Sequence, residues 1–89
     1  MAGPELSDQH VASLIAFITT YADMHGEFVY DDSDCYCFVA VKYDPERGFR
    51  QITSGPRDYV IYSDYELSPA QALDLLQPCM TERGWPFPA

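Results

Sequence analysis

The sequence has few basic residues. Its 89 residues include five Lys and Arg against 14 Asp and Glu, which gives a formal net charge of −9 at pH 7. Proteins that bind nucleic acid directly present basic faces, because counterion release from the phosphates supplies much of their affinity. Direct DNA binding is therefore not expected, and the charge favours a positively charged partner instead.

Catalytic and phosphate-binding motifs are also missing. The five glycines are isolated, whereas nucleotide-binding loops need closely spaced glycines between a strand and a helix. The sequence has no serine-hydrolase elbow, and although Ser7, Asp8 and His10 are close together, Ser7 is better placed as a helix cap. We expect a protein that is not an enzyme, with no catalytic residues and no cofactor.

No residue spacing indicates a metal site. His and Cys residues are present, but no Cys-x-x-Cys or His-x-x-x-His pattern groups them. Asp31, Asp32 and Asp34 supply oxygen atoms, yet the glycine and the terminal glutamate of a calcium loop are missing. No metal site is predicted.

Long apolar runs and a secretory leader are likewise not found. The longest apolar run, residues 35–41, is far shorter than the ~20 residues that a membrane-spanning helix needs, and residues 1–8 lack the basic and apolar regions of a signal peptide. We expect a cytoplasmic protein without membrane contact. Its three cysteines, Cys35, Cys37 and Cys79, are expected to be free thiols that act as small buried apolar residues.

Apolar residues, by contrast, are plentiful. They make up 47% of the sequence and include seven Tyr, five Phe and one Trp. This is enough for one hydrophobic core, and the length suits one domain. We expect residues 1–89 to form a single domain rather than a disordered acidic tail.

The first predicted helix begins at about residue 8. Ser7 is placed as its N-cap, Leu6 and Val11 as a hydrophobic staple, and Gly26 as its stop. Apolar residues then recur at intervals of three and four, which predicts one buried helical face. These residues are Val11, Leu14, Ile15, Ile18, Tyr21 and Ala22.

A second helix is predicted near the end of the chain. Ser68 is placed as its N-cap, Pro69 at its first helical position, and Gln71 as the reciprocal half of a capping box. An apolar stripe follows, and Gly84 is expected to end the helix.

Between the helices the apolar residues alternate with a period of two. Residues 35–43 and 49–54 are predicted strands, and residues 44–48 are a turn with Gly48 in the left-handed position, so this region should be a β-hairpin. A further strand at 59–63 and a short one at 27–30 complete the prediction. The expected fold is an α+β two-layer sandwich in the order α-β-β-β-α, with an antiparallel sheet of three or four strands and both helices on one face.

The predicted central strand is apolar on both faces. Val39 and Val41 point to one side, Phe38 and Ala40 to the other, and the helices cover only one of them. If the helices cover the face of Val39 and Val41, the other face is an apolar surface that includes Tyr36, Phe38 and Ile52. Such a surface favours association with another chain, such as homodimer formation. In the alternative, the sheet curls or residues 85–88 fold across that face.

Acidic residues are concentrated in the first half of the chain. Residues 1–41 contain seven acids and no base, and Glu27, Asp31, Asp32 and Asp34 lie within eight residues of one another. Close carboxylates repel, so this region either keeps the protein in solution or binds a cationic partner. Aromatic residues beside them are typical anchors at interfaces. The predicted partner-binding residues are Asp23, Glu27, Tyr30, Asp31, Asp32, Asp34, Tyr36 and Phe38.

The basic residues form a group of their own. Lys42, Arg47, Arg50 and Arg57 lie within residues 42–57. If Lys42 and Arg50 are side by side on paired strands, they are able to hold a phosphate or an acidic segment. The other interpretation is that they balance nearby acids.

In size, acidity, lack of catalytic motifs and α+β layout, the chain resembles the small phage-encoded inhibitors of bacterial defence, the anti-CRISPR type. Several of these act as DNA mimics or cover a protein surface. The resemblance implies a basic host protein or nucleoprotein complex as the partner, and the host cytoplasm as the location. Small acidic immunity proteins and antitoxins that neutralise basic nucleases are similar in the same respects. Both classes block a basic surface stoichiometrically.

Overall fold

A computed structural model describes residues 6–23, 26–31, 38–55 and 61–88. Along the chain, a first helix is followed by the four strands of one antiparallel sheet and then by a second helix. The predicted α+β class is confirmed, and the order is α-β-β-β-β-α. The elements are α1 (Asp8–Tyr21), β1 (Glu27–Asp31), β2 (Phe38–Asp44), β3 (Gly48–Ser54), β4 (Ile61–Leu67) and α2 (Pro69–Glu82).

Helix α1 begins where its cap predicts. Ser7 Oγ accepts a hydrogen bond from the backbone N of His10 at 3.3 Å, which confirms Ser7 as the N-cap. The helix ends at Tyr21, earlier than expected, because the next residue already has extended backbone angles. Gly26, with φ 78°, lies instead in the turn that leads into β1.

Helix α2 begins with the predicted capping box. Ser68 Oγ accepts from the backbone N of Gln71 at 3.1 Å, and the Gln71 side chain accepts from the backbone N of Ser68 at 2.8 Å. At the other end, Gly84 has φ 68°, and the backbone N of Trp85 donates to the carbonyl of Met80 at 2.9 Å. Glycine suits this left-handed position after a helix because it has no Cβ.

The β2–β3 hairpin also agrees with the sequence. Asp44 pairs with Gly48, which has φ 84°, and the Asp44 carboxylate accepts from the backbone N of Glu46 at 2.8 Å. Strand β4 differs from the prediction, because it continues to Leu67 rather than stopping at residue 63. Residues 59 and 60 of the predicted strand lie outside the described residues.

The sheet has its strands in chain order, β1-β2-β3-β4. The register shifts in two places: between Val29 and Asp31 on β1, and near the start of β4, where Ile61 and Ser63 pair with consecutive residues of β3. Such β-bulges occur often at sheet edges.

The hydrophobic core lies between both helices and one face of the sheet. The strands contribute Phe28, Val41, Phe49 and Leu67, so the Val39 and Val41 side of β2 is the covered one. The helices contribute Leu14, Phe17, Ile18, Ala72, Leu76 and Met80. In the described part of the chain, no helix is long and apolar enough to cross a membrane.

The segment after α2 packs on α1. The indole of Trp85 lies 5.4 Å from the ring of Phe17, and the ring of Phe87 lies 5.3 Å from that of His10 (centroid distances). This segment is therefore on the helical side of the molecule, and not across the opposite sheet face as one alternative had it.

The opposite sheet face is not an open apolar surface at its centre. Ala40 and Ile52 face each other across β2 and β3, and Ala40 is fully buried while Ile52 is only 2% exposed. Ile52 therefore adds no exposed apolar area to the surface expected there. Phe38 is half-buried, and Tyr36 lies outside the described residues.

Candidate partner-binding site

The structure describes the side chains of half of the eight predicted partner-binding residues. The backbone of Asp31 belongs to β1, but its side chain lies outside the described part of the chain. Asp32, Asp34 and Tyr36 lie wholly outside it. The described side chains are those of Asp23, Glu27, Tyr30 and Phe38.

Three of these four side chains line one small cavity. Asp23 comes from the turn after α1, Glu27 from β1 and Phe38 from β2, and Val29 and Ser54 complete the lining. The cavity has a volume of about 110 Å³. It lies on the sheet face away from the helices, because Phe38 and Ser54 are register partners on that face. The fold thus brings together two acids and an aromatic ring that are up to 15 residues apart in the sequence.

The turn between α1 and β1 holds Asp23 in place. Its Oδ1 accepts a hydrogen bond from the backbone N of Glu27 at 3.2 Å, and its own backbone N donates to the carbonyl of Glu27 at 2.9 Å. The backbone N of Gly26 donates to the carbonyl of Asp23 at 3.0 Å. Asp23 is half-buried, so it reaches both the cavity and the surface.

Glu27 is more buried than its predicted role assumed. It is 6% exposed, and its neighbour in the cavity wall, Ser54, is 2% exposed. Glu27 is therefore part of the cavity wall and not of an open acidic surface.

Tyr30 is not one of the cavity residues. Its ring packs against the hydrophobic core, and its hydroxyl accepts a hydrogen bond from Nε2 of Gln51 at 3.2 Å. Tyr30 is the residue at the register shift of β1, between Val29 and Asp31. The extra residue at this bulge interrupts the alternation of side chains along β1.

Arg47 and Arg50 lie toward β4, the other edge of the sheet, whereas Lys42 is the register partner of Glu27 on β1. Lys42 and Arg50 are register partners, so they are side by side as considered above. Arg50 Nε lies 2.7 Å from Asp64 Oδ1, and Arg47 Nη2 lies 3.4 Å from Asp64 Oδ2. These contacts favour the interpretation that the arginines balance an acid of their own chain.

Arg83 makes a different kind of contact. Its guanidinium lies 4.5 Å from the ring centroid of Tyr21 and 5.6 Å from that of Phe28. These are distances at which a cation is attracted to an aromatic face. Arg83 is thus held at the end of α2 against α1 and β1.

A larger groove, of about 520 Å³, lies where the β2–β3 hairpin meets the start of α2. Its lining includes Val11, Phe49 and Leu67, with Arg47 and Glu66 among its polar residues. Of the predicted partner-binding residues that the structure describes, none lines this groove. Among the residues described here, no group of His, Cys, Asp and Glu side chains is arranged to hold a metal ion.

Sequence reasoning missed two of the cavity residues. Val29 and Ser54 have no unusual sequence context, and they reach the cavity only through the strand register. The alternation along β2 places Phe38 on the face opposite Val41. It does not show which residue of β3 lies beside Phe38.

Comparisons with protein-family models, with curated proteins and with solved structures found no match to this chain. The fold and the cavity define a small acidic α+β protein with two carboxylate residues and an aromatic residue at one edge of its sheet.

Proposed function

We propose that the chain is a non-enzymatic inhibitor that binds a basic, nucleic-acid-binding surface of a host defence complex, in the manner of an anti-CRISPR protein. Its carboxylates take the place of nucleic-acid phosphates on that surface. The observation that supports this proposal is the meeting of Asp23, Glu27 and Phe38 around one cavity near β1. Acids next to an aromatic ring combine charge attraction with a contact that excludes water.

The distribution of charge supports the same proposal. The chain contains seven acids before its first basic residue, Lys42. Arg47 and Arg50 both bind Asp64 on β4, at the opposite edge of the sheet from β1. Two of the five basic residues are thus held beside an acid that is not part of the proposed site. A cationic partner is attracted to the β1 side, because five of the 14 acids lie within residues 23–34 and no Lys or Arg lies among them.

The other three predicted acids lie at the end of β1 and just after it in the sequence. Asp31 is the last residue of β1, and Asp32 and Asp34 come before β2 in the chain. In the proposed complex these three aspartates contact basic side chains of the partner. Phe38, which begins β2, supplies the aromatic contact beside them.

The test compares two variants that each lose three negative charges. D31N/D32N/D34N changes the proposed site, and the matched control D8N/D74N/E82Q changes three exposed helical acids. Each variant is added to purified CRISPR effector complexes bound to labelled target DNA, and the displaced DNA is measured. We expect the parent and the control to displace DNA, and the site variant to be weaker by about tenfold or more. Equal displacement by both variants would contradict the proposed site.

Salt provides a second measurement in the same assay. Charge attraction between surfaces is screened over about 8 Å at physiological ionic strength, so binding that imitates phosphates weakens as salt rises. We expect the affinity of the site variant to depend less steeply on salt than that of the control. A parallel set of basic nucleases tests the immunity-protein alternative. Inhibition of a nuclease, without displacement of DNA from any effector complex, favours that alternative over a defence complex.

A further inference from the structure

Strand β4 is one edge of the sheet. Within the described parts of the chain it pairs with β3 alone, and from Ser63 to Leu67 the pairing is regular. The second side of an edge strand carries backbone N–H and C=O groups that are able to pair with another extended chain.

Two large apolar side chains on β4 face water. Ile61 is 53% exposed and Tyr65 is 62% exposed, and only one other described large apolar residue, Tyr21, is classed as exposed. Ile61 pairs with Ser54 and Tyr65 with Gln51, so the register shift places the two side chains on opposite faces of the sheet. A second strand laid along β4 has an apolar contact available on each face.

The edge lacks two of the features that often prevent such pairing, Lys and Pro, and its two charges are both acidic. Natural edge strands often carry Lys or Pro, which discourage a further strand. β4 has the sequence IYSDYEL, which contains neither residue. Its bulge is near its beginning and leaves Ser63–Leu67 regular.

We propose that β4 binds an extended, basic segment of a partner chain, which adds a fifth strand to the sheet. Backbone hydrogen bonds along Ser63–Leu67 supply most of the affinity, as in other cases of strand addition. Apolar residues of the segment pack on Ile61 and Tyr65. Basic residues pair with the exposed carboxylate of Glu66, which lies next to Leu67 on β4.

Charge selects a basic segment rather than a second copy of this chain. Each copy has a net charge of −9, and on β4 the exposed carboxylate of Glu66 adds local negative charge, whereas Asp64 is already bound by Arg47 and Arg50. Two copies joined along β4 bring like charges together, which destabilises a strand pair. A segment rich in Lys or Arg is instead attracted at long range and at the edge itself.

This inference does not rest on the proposed function. β1 and β4 are opposite edges of the sheet, so a partner at one edge leaves the other accessible. The D31N/D32N/D34N variant, which tests the β1 side, is expected to bind at β4 as well as the D8N/D74N/E82Q control, which loses the same number of charges. Failure of one proposal is thus distinguishable from failure of the other.

The experiment uses the full chain, labelled with ¹⁵N, and a short peptide in which valine and lysine alternate. Amide hydrogen exchange of residues 61–67 is measured with and without the peptide. Affinity is measured for the parent, for Tyr65→Lys and Ile61→Lys, and for the control Ala12→Lys on the exposed side of α1. A matched peptide of the same charge, with prolines in place of alternate valines, separates strand pairing from charge attraction because proline cannot donate to a strand pair.

We expect the alternating peptide to slow exchange at β4, and each β4 variant to weaken its binding by about tenfold while the α1 control has a smaller effect. The proline peptide should bind weakly, and so should a peptide with glutamate in place of lysine. The proposal is overturned if β4 amides exchange at unchanged rates, if the proline peptide binds as well as the alternating one, or if light scattering shows a dimer of the chain that Tyr65→Lys dissociates.

Discussion

The indole Nε1 of Trp85 donates a hydrogen bond to Oγ of Ser13 at 3.0 Å, across 72 residues of sequence. Both groups are partly buried, and the Trp85 ring also contacts Phe17 and Tyr21. This contact attaches the segment after α2 to the middle of α1. It joins the two ends of the described chain within the helical layer.

Loss of this hydrogen bond should reduce stability. We expect Ser13→Ala to lower the free energy of unfolding by about 1 kcal/mol, because the indole N–H is then left without its partner in a partly buried place. Urea unfolding followed by Trp85 fluorescence measures the change. The control is Thr20→Ala, which removes an exposed hydroxyl that bonds only a carbonyl of the same helix, and it should change little. Equal effects of the two variants would show that the Ser13 hydrogen bond adds nothing.

The two arginines that contact Asp64 should differ in their contributions. The Arg50 side chain is 14% exposed and lies 2.7 Å from Asp64, whereas that of Arg47 is 55% exposed and lies at 3.4 Å. We expect Arg50→Gln to cost about 1–2 kcal/mol of unfolding free energy, and Arg47→Gln to cost less than about 0.5 kcal/mol because exposed ion pairs are weak. Chemical denaturation of both variants measures this order. The reverse order would show that the shorter contact is not the stronger one.

Asp44 should make stability depend on acid pH. The pKa of its carboxyl is below the ordinary value of 3.8, mainly because the carboxylate accepts a hydrogen bond from the backbone N of Glu46; the backbone N of Arg47 and the charges of Arg47 and Lys42 add to this. A carboxyl whose pKa is lower in the folded state than in the unfolded state stabilises the fold at pH values above its unfolded-state pKa. This contribution is lost as the pH falls through its folded-state pKa.

Asp44→Asn removes this titration but keeps an oxygen that accepts the turn hydrogen bonds. We expect the stability of the parent to fall more steeply than that of the Asn variant below about pH 4. Unfolding at a series of pH values, with Glu46→Gln as the control, measures the difference. Parallel curves for the parent and Asp44→Asn would exclude the contribution.

The thiol of Cys79 should react slowly. Burial raises the pKa of Cys79 above its ordinary value of 9.0, and the carboxylate of Glu82 raises it further, while Arg83 acts in the opposite direction. Less thiolate is therefore present at neutral pH, and the thiolate is the reactive form. In a C35S/C37S background, we expect alkylation of Cys79 at pH 8 to be slower than that of a free cysteine, and Glu82→Gln to accelerate it. A rate equal to that of free cysteine would contradict the pKa shift.

Features with local causes could be predicted from the sequence. The capping box of Ser68 and Gln71 and the turn at Gly48 depend on residues only a few positions apart, and both are present as expected. The alternation along β2 also separated its two faces correctly, but it left open which one the helices cover; the structure shows that it is the face of Val41. Each of these needs only backbone geometry and side chains within reach of it.

Features that depend on distant residues could not be predicted. The cavity residue Ser54 and the Ser13–Trp85 contact depend on strand register and on the path of the chain after α2. The end of β4 was missed because Asp64 and Glu66 interrupt its apolar pattern, as is common on an edge strand. The burial of Glu27 was missed because a sequence shows that a carboxylate is acidic, not how much water reaches it.

The agreement of strand order with chain order has a consequence for folding. Each strand of β1-β2-β3-β4 pairs with its sequence neighbour, so the sheet assembles by closing short loops, and short closures favour fast folding. The contacts of Trp85 and Phe87 with α1 close loops of most of the chain, and they cost more entropy than closing the short loops between neighbouring strands. Trp85 is also the only tryptophan, so we expect a change in its fluorescence during refolding to report docking of this segment on α1 rather than formation of the sheet.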